Sequence, residues 1–380
     1  MKTPINAKVD LRRLLVAAMV AGAAITVAAC GSSGSSSSSS SGGASSNSSV
    51  SGAPSWCGSK KVTIALADGF GDNNWRRITT GEARDEVKKC PSVTKFIYTD
   101  GQGNTQKAIS DIQGLVAQGV NGMVVFPDAG KAVLPAIRQA YKAGVVTVPY
   151  RVFPGGKAGQ DYNWFISTNF EQAGELWGKW LLKALPNGGN VVNLGGPPAN
   201  SQSLDEYNGM KKVLAANPKI KFIGQTPYNV TNWDPAQTQK VVTAILAKYP
   251  KIDAITTDFG AALASSFGAF KQAGRKIPAV ATEDSNQLSC DRQKLLPTNP
   301  GFKLFTVDSQ NWMVRTAIDF AVAKASGGQI PSSTVVPQKP FEDSITKQPH
   351  PPTCDKSLPG DAFLSSHLSH SQILAALNAH

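Results

Sequence analysis

Between Lys61 and Asp284 one phrase recurs: a short β-branched run, a polar or glycine break, then an amphipathic stretch several helical turns long. Parallel strands cannot be joined by a tight turn, because they need a crossover that is usually a helix. Such alternation predicts βαβ units built around a parallel sheet. In the first half, strands are read at residues 61–67, 95–99, 122–127 and 145–149, with helices over 75–89, 105–118 and 132–143. After a glycine-rich passage (154–161) the pattern restarts. Strands are read at 165–167, 190–194, 221–224, 254–257, 279–282 and 305–307. Helices are read over 171–185, 204–217, 235–248 and 261–273.

The halves echo one another. Residues 119–151 run strand, helix ending Lys142-Ala143-Gly144, strand; residues 251–284 repeat this with Gln272-Ala273-Gly274. The fold class expected is therefore α/β, with two Rossmann-like lobes, each on a parallel sheet, joined by a crossover hinge with a ligand cleft between them. The first lobe is placed at 55–163 plus about 311–335, and the second at 164–310 plus about 336–347. Residues 348–380 form a C-terminal tail. Crossovers near 155–164, 285–310 and after Gly327 are expected to act as the hinge on which the lobes close. Open parallel sheets bind ligands beyond the carboxyl ends of their strands, so the residues just after each strand carry the functional information.

The N-terminus adds a location. Lys2, Lys8, Arg12 and Arg13 precede an uncharged run from Leu14 to Val27, followed by Ala28-Ala29-Cys30-Gly31. This is an export signal: basic, then apolar over too short a length for a stable span, then small. The cysteine resembles that of the bacterial lipobox, which implies removal of residues 1–29 and a lipid on Cys30. Residues 30–54 are dominated by serine and glycine and can form only a flexible tether. The chain is thus expected at the extracytoplasmic face of a bacterial membrane, lipid-anchored.

Charge and cysteine usage exclude several classes. The formal charge is +12, but the lysines are scattered among acids and form no one-sided patch, so nucleic acid is not expected as a partner. Besides Cys30 there are Cys57, Cys90, Cys290 and Cys354, which in an oxidising compartment predict two disulfides with three possible pairings. Cys57 precedes the first strand and Cys90 ends the first helix, which in a βαβ unit lie at the same edge. Cys57–Cys90 is therefore expected, leaving Cys290–Cys354. All four histidines (His350, His367, His370 and His380) lie in the tail, and no two cysteines are close in sequence, so no zinc site and no cofactor is expected.

The strand ends are rich in one kind of chemistry. Asp68, Asp72, Asn73, Trp75 and Arg76 follow the first strand, and Tyr150 and Arg151 follow the fourth. The second half offers Ser201, Gln202 and Asp205, then Asn229, Asn232, Trp233 and Asp234. Asp258, Glu283-Asp284 and Ser309-Gln310-Asn311 complete the set. Aromatic plates among Asp, Asn, Arg and Gln suit a sugar, whose C–H face stacks on a ring and whose hydroxyls both donate and accept.

With the Asn73-Asn74-Trp75-Arg76 loop, Pro149-Tyr150-Arg151, Asn229 to Asp234, Asp258, Glu283 to Asn286 and Val307 to Gln310 in this order, the chain from Lys61 to about Ile345 resembles the periplasmic ribose/galactose-type sugar-binding proteins that feed ABC importers. Trp75-Arg76 looks most like the galactofuranose-type branch. The resemblance implies a monomeric binding protein that hands a sugar to an ABC permease without altering it. It implies Trp75 and Trp233 as stacking plates from opposite lobes, with Arg151, Asp258, Asp284 and Gln310 bonding hydroxyls. Arg76 would be a second cationic donor, and Asn73, Tyr150 and Ser201 belong to the same ligand-binding set. Two departures stand out. Tyr150 replaces the acid that usually precedes the arginine, and Asn200 to Glu206 lacks the family's second-lobe arginine. Losing one acid and one base predicts a pocket that stays balanced but reads a different hydroxyl pattern or a substituted ligand. Two other functions use the same parts. One is a receptor that presents its closed form to a signalling partner. The other is a glycoside-processing enzyme using Asp258 and Asp284 as its carboxylate pair, although the sequence offers no reason for either pKa to be raised.

Overall fold

The computed structural model describes residues 50–71 and 73–379. The export signal, Cys30, Asp72 and most of the proposed tether lie outside the described residues. The first sheet has the order β2-β1-β3-β4, all parallel: β1 Val62–Asp68, β2 Val93–Asp100, β3 Gly122–Phe126 and β4 Val146–Pro149. Its helices are α1 Asn74–Lys88, α2 Thr105–Ala117 and α3 Leu134–Lys142. A parallel sheet is covered on both faces, so its strands are apolar throughout, and the pleat divides them cleanly. Ile64, Leu66, Val124 and Val148 face one core with Ile78 of α1, while Ala65, Ala67, Met123 and Val125 face the other with Ile112 and Ile137.

The second sheet runs β13-β11-β10-β9-β6-β7, with β8 Asn229–Val230 pairing off β6. Its strands are β6 Gly189–Gly195, β7 Ile220–Ile223, β9 Ala254–Thr257, β10 Ala279–Glu283, β11 Leu304–Val307 and the antiparallel edge β13 Pro340–Asp343. Around it lie α4 Phe170–Ala184, α5 Ser201–Leu214, α6 Pro235–Lys248, α7 Gly260–Ser265, α8 Phe267–Gln272 and α9 Asn286–Leu295. The architecture is bilobed α/β with parallel sheets, as the alternation of strands and helices requires. Helices α4 and α5 cross with almost no gap: a Cβ on Gly174 would sit 1.9 Å from the Glu206 carbonyl, and one on Gly209 would sit 2.0 Å from that of Glu171. The two glycines thereby draw Glu206 inward.

Three expectations are corrected. The helix expected over 261–273 is two helices, because Ser265 Oγ bonds back to the Ala262 carbonyl at 2.6 Å and interrupts the ladder at Ser266. The strand expected at 165–167 is not in the main sheet. It is β5 Ser167–Thr168, which pairs with β12 Val335–Val336, so two crossovers bond to each other. Residues 285–310 are mostly not a crossover either, since α9 and β11 belong to the second lobe. The chain returns to the first lobe only after β11, and α10 Met313–Ser326 then packs against β1, β3 and β4.

The tail is structured. Cys57 is joined to Cys90, and Cys290 on α9 to Cys354. Beyond Cys354 the chain returns to the first lobe, where α11 His370–Asn378 packs on α1 and Leu368, Ile373 and Leu377 join the core that contains Ile78 and Val87. Among the described residues no helix is long and apolar enough to cross a membrane.

Candidate functional site

The carboxyl ends of both sheets open on one small cavity of about 60 Å³. From the first lobe, the wall is built on the start of α1. Asn73 caps this helix by accepting from the Arg76 N–H at 3.0 Å, which fixes Trp75 and Arg76 in its first turn. The Arg76 guanidinium donates to Asp68 at 2.9 Å and Asp128 at 2.5 Å, and lies 3.2 Å from the Phe126 ring centroid. Trp75 is buried, donates its indole N–H to the Ser309 carbonyl at 3.1 Å, and meets Phe126 edge-on. Arg151 follows β4 with a positive φ of 62°, an unfavourable conformation that throws its side chain across the cleft. Its guanidinium sits 4.7 Å from the Trp75 ring centroid and donates to Glu283 of the second lobe at 2.6 Å.

The second wall is acidic. Asp258, after β9, accepts from Ser203 Oγ at 2.5 Å, and its Oδ1 has no hydrogen-bond partner. Gln202, on the first turn of α5, donates to both Glu206 and Glu283 at 3.2 Å. Asn232 and Trp233 are both left-handed, with φ of 54° and 56°, which turns the indole back over Gly196. Any side chain at Gly196 would strike it, since a Cβ there would come within 2.4 Å of the ring. Burial raises the pKa of Asp258, and burial pushes Glu283 up to about 8 although Arg151 opposes it. Glu206 is pushed well above the carboxylate range by burial and by repulsion from Asp258 and Glu283. Across the cleft, burial also raises Asp68, and it raises Asp128 to about 7.

Six of the residues singled out from the sequence meet here: Asn73, Trp75, Arg76, Arg151, Trp233 and Asp258. Four others do not line the cavity. Tyr150 is buried behind Phe126, ring centroids 5.0 Å apart, with its hydroxyl unpaired. Ser201 is exposed on the first turn of α5, and the helical rotation of one residue brings Gln202 inward instead. Asp284 accepts from the Ser309 N–H at 3.0 Å and Ser365 Oγ at 2.6 Å, because adjacent residues at the end of a strand face opposite ways. Gln310 donates to the Pro337 carbonyl at 3.1 Å and accepts from Gln338, tying two crossovers together. Asp258 and Asp284 therefore do not face a common space, and both are raised by burial, Asp284 to about 7. Gln202 and Glu283 line the cavity although neither belonged to the expected ligand-binding set, and Glu206 lies behind Gln202. The strand-end rule pointed to the Glu283-Asp284 pair, but only the pleat chooses between them. Among the described residues no group of His, Cys, Asp and Glu is arranged to hold a metal ion.

A larger groove, about 350 Å³, lies between α1 and α11. It draws its walls from the first lobe and the tail alone, so lobe closure could not seal it.

Comparison with known proteins places the architecture. A profile described as a periplasmic binding protein domain matches residues 64–329. The D-xylose-binding periplasmic protein of Escherichia coli K12 is 28% identical over 223 residues, which is 57% of this chain and 64% of that protein. The galactofuranose-binding protein of the same organism is 27% identical over 167 residues, 43% of this chain and 51% of its own length. The chain thus spans between half and two thirds of these curated relatives. Among solved structures, a Caulobacter myo-inositol binding protein bound to myo-inositol superposes with a TM-score of 0.64 at 22% identity, covering 74% of this chain and 93% of that one. At that identity the likeness establishes the fold.

Proposed function

The chain belongs to the periplasmic binding protein domain family, and on that footing we propose that it captures a monosaccharide or close derivative between its lobes and passes it unchanged to an ABC import permease. The observation that carries this reading is the cavity at the meeting of the two sets of strand ends. Trp75 and Trp233 stand at it from opposite lobes, and Arg76, Arg151, Asp258 and Glu283 supply donors and acceptors. Such groups match hydroxyls, and a ligand lacking one would leave a buried polar group unpaired. The relatives whose names specify xylose and galactofuranose, and the myo-inositol complex of the same fold, agree with that chemistry.

Closure follows from the geometry. The cavity is small, about 60 Å³, and the Arg151–Glu283 bridge joins its two walls at 2.6 Å. Entry requires the lobes to part and the Arg151–Glu283 bridge to open, and the ligand then replaces that bridge as the link between lobes. We place the lobes at 55–163 with about 311–335 and at 164–310 with about 336–347, and the lipid on Cys30 at the outer face of the membrane. Calorimetry of the purified chain against a panel of pentoses, hexoses and cyclitols, with chromatography of the recovered ligand, tests the reading. Saturable binding with unchanged ligand is expected; hydrolysis or no binding across the panel overturns it. Replacing Cys30 by Ala should move the protein from the membrane to the soluble fraction.

A further inference from the structure

The two walls of the cleft carry unequal charge. On the first lobe, Arg76 is shared by Asp68 and Asp128 and has no charge to offer the opposite wall. Arg151 is the other cation among the lining residues, and it is held by Glu283 at 2.6 Å. One more carboxyl lines the second wall and another lies behind Gln202, neither with an ion pair of its own. Asp258 is 3% exposed and lines the cavity with Oδ1 unpartnered. Glu206 is 2% exposed and has the Gln202 amide at 3.2 Å. The pocket is not balanced as the sequence suggests, because α5 supplies an acid where a base was missing.

A neutral sugar would leave these buried acids without a cation. We propose that the ligand is an amino sugar, whose ammonium group docks on Asp258 Oδ1 with Glu206 and Glu283 behind it, while its hydroxyls engage Arg151 and Gln202. The inference rests on the reading of the cleft as a sugar site and narrows its substrate class.

A proton linkage follows. The charged and titratable groups facing Glu206 and Asp258 are Arg151 after β4, Glu283 at the end of β10, and Tyr228 ahead of β8. In the empty site burial favours the protonated acids. An ammonium group stabilises their ionised forms, so binding expels protons and strengthens as pH rises towards neutrality. A neutral sugar has no such lever.

The test is calorimetry of the purified chain with D-glucosamine, D-galactosamine and D-mannosamine, each beside its parent hexose and its N-acetyl derivative. At least one amine should bind about tenfold or more tighter than both neutral counterparts. It should bind tighter at about pH 7 than at about pH 5.5, and release protons when buffers of different ionisation enthalpy are compared. D258N should bring the amine-to-hexose ratio close to unity, and E206Q should lower it. Both variants are near-isosteric, and their melting curves show whether they fold. Neutral hexoses binding as tightly as the amines would overturn this inference and leave the sugar reading intact. Failure of all nine compounds to bind would overturn this inference, and the sugar reading would fall with it only if the pentoses and cyclitols of the wider panel also failed to bind.

Discussion

The two lobes share a fold but meet the cleft with opposite chemistry. The first brings cations and aromatic rings: Arg76 satisfied by two acids of its own lobe, Trp75 and Phe126 beside it, and Arg151 reaching across. The second brings Asp258 and Glu283, with Glu206 behind Gln202, and the rings of Phe259 and of Trp233, which is turned over a glycine. Two βαβ sheets of similar design can thus be given complementary walls by a few residues at the strand ends. The cations of the first wall are paired within the protein, whereas on the second Asp258 Oδ1 has no partner.

Removing the one charge that crosses between the walls is the strongest way to break this comparison. Arg151→Ala leaves Glu283 buried without its guanidinium and deletes a donor, and should weaken sugar binding by roughly 2–5 kcal/mol in calorimetry. A loss confined to stability, with affinity intact, would mean that Arg151 only clamps the lobes. Trp233→Ala removes the second lobe's plate and should cost about 1–3 kcal/mol of binding. If Trp75 alone carries the stacking, this variant binds like the parent.

Asp284→Ala sharpens the contrast between neighbours. The Asp284 carboxyl holds Ser309 and Ser365, so the change should lower stability by about 1–3 kcal/mol while moving affinity much less than Glu283→Gln does. Melting curves and titrations of the two variants separate these roles. The buried acids also make stability depend on pH. Burial raises Glu283 to about 8, and Asp128 and Asp284 to about 7, so the folded state holds protons that the unfolded chain has released. Stability of the empty protein should therefore fall as pH rises from the ordinary carboxylate range through about 7 to 8. Scanning calorimetry without ligand should show a lower melting temperature at the alkaline end of that window.

The pattern of these residues explains what the sequence could convey. Alternating strands and helices are local, so the two parallel sheets and the gathering of Arg151, Trp233 and Asp258 at strand ends around one cavity were legible. Which sheet a strand joins is not local: nothing in Ser167-Thr168 says that it leaves the main sheet to pair with Val335-Val336. Side-chain direction was lost at the same scale. One residue of pleat separates Glu283 from Asp284, and one step of helix separates Gln202 from Ser201. Glu206 looks like any acid on a helix surface until Gly174 and Gly209 bring α4 and α5 together. The apolar residues of α11 gave no hint that they would cover α1.

A crystal structure of the chain with a bound sugar from the calorimetric panel tests the central claim most directly. The account predicts the ring between Trp75 and Trp233, its polar groups on Arg151, Asp258 and Glu283, and the Arg151–Glu283 bridge opened or shared with the ligand. A sugar seated in the groove between α1 and α11, with that bridge unchanged and the cleft empty, would contradict it.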